Sequence, residues 1–71
     1  MERRFTNELG NPIRISVREV EHTLEALGTG VEIEVEGPNS ISSNLLTHQE
    51  AAVLAEVLLR YHLVKQLKTE T

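Results

Sequence analysis

Residues 31–36 read Val-Glu-Ile-Glu-Val-Glu, an alternation of apolar and charged side chains that runs without a fault. Successive side chains of a strand point to opposite faces, so this segment fits a β-strand with Val31, Ile33 and Val35 against a core and Glu32, Glu34 and Glu36 on the other side. A strand cannot stand alone, and the rest of the chain must supply neighbours for its backbone and a cover for its apolar face. With 71 residues the chain has room for one small domain, residues 1–71. It holds no Cys, which removes disulfides, thiolate metal sites and thiol nucleophiles together.

The neighbours follow from turn signals. Gly37-Pro38-Asn39-Ser40 is a strong turn, after which 41–46 can return as a second strand of a hairpin. Ile13-Arg14-Ile15-Ser16-Val17 alternates in the same way behind Pro12, and the head of the chain, with Phe5 and the turn Leu9-Gly10-Asn11-Pro12, can add an edge strand. Ser16-Val17-Arg18-Glu19 has the form of a helix capping box. Val17, Val20, Leu24 and Leu27 then fall on one helical face, and Gly28 suits a left-handed stop. These signals predict a helix over 17–27. The competing reading is a continuous strand from Ile13 through Glu21, supported by β-branched Val17 and Val20.

Thr47-His48-Gln49-Glu50 repeats the capping box, and no Gly or Pro follows it, which predicts a helix from about His48 to Leu67. Leu54, Leu58, Leu59, Tyr61 and Leu63 are among apolar residues that spread over more than half of its circumference. A single small sheet cannot cover so wide a surface, and the expected remedy is a symmetric homodimer through this helix, with those five residues in the interface. The expected architecture is α+β, ordered β-α-β-β-α with an extra N-terminal strand available.

All 11 acidic residues are Glu, and residues 19–59 contain Glu19, Glu21, Glu25, Glu32, Glu34, Glu36, Glu50 and Glu56 with no Lys or Arg. The net charge is −4. Strand residues two apart lie about 6.6 to 6.8 Å from one another, so the three strand glutamates extend over roughly 13 Å, a spacing comparable to that of phosphates along a nucleic-acid strand. Like charges this close repel, and no Lys is interspersed to relieve them. Glu19, Glu21 and Glu25 would enlarge the field, and a dimer would double it. The bland alternative is a solvated outer face that discourages edge pairing.

Other chemistry finds little support. His22, His48 and His62 lack metal-ligand spacing, so no metal site or cofactor is expected. Ser40, Ser42 and Ser43 sit in no nucleophile motif, and Gly28-Thr29-Gly30 is too short for a dinucleotide loop, so the chain is not expected to be an enzyme. Arg14 and Arg18 could join in a small basic patch, but an acidic chain whose only aromatics are Phe5 and Tyr61 is a poor direct binder of nucleic acid. The arginines are better read as neutralising nearby glutamates. No run is apolar enough for a membrane span and no secretion signal precedes the fold, which gives the expectation of a soluble, cytoplasmic protein.

In size and charge layout, centred on residues 19–36, the chain resembles small phage-encoded acidic proteins that inhibit a host DNA-binding protein by DNA mimicry, one type of which acts on the nucleoid protein HU. The resemblance implies a non-enzymatic inhibitor in the host cytoplasm. Its partner would be a basic nucleic-acid-binding protein, held by Glu32, Glu34 and Glu36 with Glu19, Glu21 and Glu25 as auxiliaries. The alternative function is a structural or regulatory dimerisation module that engages a protein partner through its apolar C-terminal helix.

Overall fold

The computed structural model describes residues 1–70. Four strands, β1 (Glu2–Thr6), β2 (Pro12–Glu21), β3 (Thr29–Glu36) and β4 (Ile41–Leu46), form one antiparallel sheet in chain order, and a helix, α1 (His48–Glu70), follows. The chain is thus a small α+β domain. Every strand pairs with its neighbour in sequence, so each connection is a turn.

The helix expected over 17–27 is not formed. β2 continues to Glu21 and only a three-residue 3₁₀ turn, Glu25–Leu27, stands in its place. The reason is long-range pairing: Ser16 to Glu21 lie opposite Glu34 to Thr29 of β3, so the amides that a helix cap would satisfy are used in the ladder. β-branched Ile13, Ile15, Val17 and Val20 suit that extended backbone. Gly28 still ends the turn with a φ of 68°, and its amide donates to the Glu25 carbonyl at 3.1 Å.

The first hairpin is closed by Asn7, whose side-chain oxygen accepts the amides of Leu9 and Asn11, both at 3.0 Å. The expected edge strand at the head and the hairpin of β3 and β4 are both present. At the start of β3, Gly30 is buried, and a Cβ there would lie 2.7 Å from the Leu46 carbonyl oxygen and 2.9 Å from the His22 ring. Only glycine lets the strand pass so close to a fixed backbone atom.

α1 begins where its capping box places it. The Thr47 hydroxyl accepts the Glu50 amide at 3.1 Å, and the Glu50 carboxylate accepts the Thr47 amide at 2.8 Å. Those bonds hold the Glu50 carboxyl below the usual carboxylate range, the backbone bond from Thr47 contributing most. Beyond Ala51, which is half-buried, every helix residue from 52 to 68 is exposed. At about 1.5 Å per residue the 23-residue helix is roughly 35 Å long. It meets the sheet at β3 and β4 and then runs clear of it, which explains principal extents of 48 × 29 × 16 Å.

The register sorts the sheet into two faces, because directly opposed residues share a side. One face carries Phe5 from β1, Ile13, Ile15 and Val17 from β2, Val31, Ile33 and Val35 from β3, and Leu46 from β4. The other carries Glu2, Arg4, Arg14, Arg18, Glu32, Glu34 and Glu36. No apolar residue among the described ones is fully buried. The total accessible surface is 6111 Å² for 8.0 kDa, against about 4,450 Å² for a folded monomer of that mass. The radius of gyration, 14.9 Å, likewise exceeds the roughly 11 Å of a compact chain of this length.

Candidate functional site: a neutralised charge ladder and an uncovered apolar helix

Glu32, Glu34 and Glu36 lie on one face of β3, as the alternation requires, and each carboxylate meets an arginine of β2. Arg14 is directly opposite Glu36 and Arg18 directly opposite Glu32. The Arg14 Nε donates to Glu36 at 2.9 Å, its Nη2 to Glu34, and its Nη1 to Glu2 of β1 at 3.2 Å, so one planar guanidinium ties three carboxylates from two flanking strands. Arg18 donates to Glu32 at 2.8 Å, and Arg4 to Glu2 at 3.3 Å. The geometry suits arginine, whose fork of donors can serve several oxygens at once where an ammonium is a point charge.

The electrostatics follow from that arrangement. The Arg14 side chain is only 17% exposed, and its bonds to Glu36 first, then Glu34 and Glu2, push its pKa above the ordinary arginine value. Glu2 is held below the usual carboxylate range, chiefly by Arg4 and then by Arg14. Four carboxylates against three guanidinia leave this face with one negative charge. Glu32, Glu34, Glu36 and Arg14 are all half-buried. The three-glutamate row is therefore one rail of a mixed-charge ladder rather than a bare line of carboxylates.

The auxiliary glutamates are not gathered beside that row. Glu19 and Glu21 lie opposite Val31 and Thr29, on the other face of the sheet from Glu32, Glu34 and Glu36, and Glu25 sits in the 3₁₀ turn. The two sets cannot present one continuous acidic surface. The imidazoles have local tasks: the His22 ring accepts the Leu24 amide at 3.0 Å through Nδ1, and His48 Nε2 lies 3.0 Å from the Thr29 hydroxyl. Among the described residues no cluster of three His, Cys, Asp or Glu is placed to hold a metal ion, and no helix is long and apolar enough to cross a membrane.

The residues expected in a dimer interface are displayed on α1. Leu54, Leu58, Leu59, Tyr61 and Leu63 are all exposed, at 37%, 57%, 58%, 64% and 49%. Successive helix residues turn by about 100°, so Val53, Leu54, Val57, Leu58 and Val64 share an arc of roughly 140° and Leu59 points away from it. Within 51–59 the one charged residue is Glu56, tied to Arg60 at 2.9 Å. Two surfaces thus stand open, the helix and the apolar side of the sheet; the sheet surface was not among the sequence-based candidates, although it follows from the same alternation that located the glutamates. Compared with known proteins, the chain matches no family model, no curated protein and no solved structure.

Proposed function

We propose that this chain is a non-enzymatic dimerisation module that acts through α1. The observation that carries the reading is the surplus of surface: about 1,650 Å² more than a folded monomer of this mass would expose, with no apolar side chain buried among the described residues. Segment 51–59 of the helix is apolar apart from Glu56, and apolar helix surface of that breadth is usually covered by other elements. If each of two copies buried that surplus, the joint interface would approach about 3,300 Å², within the range of obligate homodimers.

The measurement that tests this is solution mass by sedimentation equilibrium. The expected mass is twice the 8.0 kDa of one chain. Leu59→Asp or Leu63→Asp should abolish the dimer, because each would carry an unpaired charge into the contact. A monomeric mass across the micromolar range would overturn the reading.

The acidic-surface alternative, binding of a basic nucleic-acid-binding protein as a DNA mimic, draws less support from the geometry. Its three principal carboxylates already have arginine partners, and a basic partner would have to compete with those bonds. On that reading Arg14→Gln, which frees carboxylates, should strengthen capture of a basic protein at low salt. Unchanged or absent capture counts against it.

A further inference from the structure

We propose that the apolar face of the sheet is covered by α1 of a second copy, each helix crossing to the other chain's sheet. The inference rests on the dimer reading and names what the interface contains. Pairing the two helices side by side would cover one strip of each and leave the sheet face open, with Ile15, Val17 and Val35 exposed as they are now. A helix laid on the partner's sheet covers both open surfaces in one contact.

Dimensions favour the exchange. The apolar stretch of β2 from Ile13 to Val17 spans about 14 Å, close to the roughly 14 Å of helix segment 51–59. The chemistry also fits. The helix segment 51–59 brings only Glu56, and that carboxylate carries its own arginine. Along β2 the apolar row is free of charge between Ile13 and Val17, and along β3 between Val31 and Val35, while Arg3 stands opposite Ile15 on the edge strand and Glu19 opposite Val31. Over those stretches no charge has to be stripped of its partner to bring the surfaces together, which avoids the cost of burying an unpaired ion. A second copy is the occupant that supplies a helix and a sheet face of matched length in equal number, and a two-fold pair closes without leaving either exposed.

The absence of cysteine makes the test direct, since any thiol introduced is the only one. Val17→Cys marks the apolar face, and Ser43→Cys marks the opposite one, because Ser43 lies across from Glu34. Val57→Cys, Leu58→Cys and Leu59→Cys mark three directions around the helix. Each sheet variant is unfolded and refolded with each helix variant, and a short bismaleimide is added. A cross-link between two different single-thiol chains is necessarily intermolecular. The expected result is a strong Val17 cross-link to at least one helix position, several-fold above the Ser43 yield. Equal yields from the two faces, or no Val17 cross-link in a protein of dimeric mass, would overturn the exchange while leaving the dimer intact. A monomeric mass would overturn both.

Discussion

The two faces of the sheet differ in how far one chain completes them. On the charged side Arg14, Glu32, Glu34 and Glu36 are half-buried among themselves, while on the apolar side Phe5, Ile15, Val17 and Val35 are exposed. The charged face is finished within one chain because its partners sit opposite one another in the ladder. The apolar face is left open within one chain. A row of like charges is thus no guide to where a partner binds unless the strand beside it is known. The uncovered valines and isoleucines are the better indicator.

The largest expected effect breaks or upholds this contrast at once. Ile15→Ala should cost on the order of 2 to 5 kcal/mol if the residue is covered in the assembly, and only a few tenths if it stays at the surface. Urea unfolding of the dimer separates the two values. If the proposed dimer forms, stability should also rise with protein concentration.

The second effect concerns the finished face. Arg14→Gln removes the group that holds Glu2, Glu34 and Glu36. The melting temperature should fall by several degrees at a fixed concentration, with the deficit shrinking in salt as the three carboxylates are screened. The cross-linking pattern and the dimeric mass should be unchanged. A change of mass would mean that the two faces are not independent.

A smaller effect sharpens the boundary between sheet and helix. Thr47→Ala removes the hydroxyl that caps α1 and should cost about 1 kcal/mol, read by thermal unfolding. The smallest is acid sensitivity. Because Glu50 and Glu2 have lowered pKa values in the fold, their contribution is present above the ordinary carboxylate value of about 4.3 and is lost as pH falls through the lowered values. Helical circular dichroism should therefore hold down to about that pH and decline below it, with Glu50→Ala flattening the decline.

Much of this fold was legible from local signals. The alternation at 31–36, the turn at 37–40 and the capping box at Thr47 each gave the element that forms. Residues 17–27 failed because two local patterns overlapped there. Val17, Val20, Leu24 and Leu27 satisfy a helical period, and Ile13, Ile15 and Val17 a strand period; only pairing with β3 decides between them, and pairing is not a local property. The candidate site divides likewise. That Glu32, Glu34 and Glu36 share a face could be read directly, and the idea that the early arginines neutralise glutamates pointed the right way. Arg14 and Arg18, four apart, fall on one side of a strand, so once that strand is extended and antiparallel to β3 their match with Glu36 and Glu32 follows.

The chain-order sheet has a kinetic consequence. Strands joined only by turns close short loops, which is the quick part of β-folding, whereas meeting a second molecule depends on how often two molecules collide. For the proposed dimer, refolding should then resolve into an early phase indifferent to dilution and a later one that slows in proportion to it, the delay marking the moment when each chain finds its counterpart.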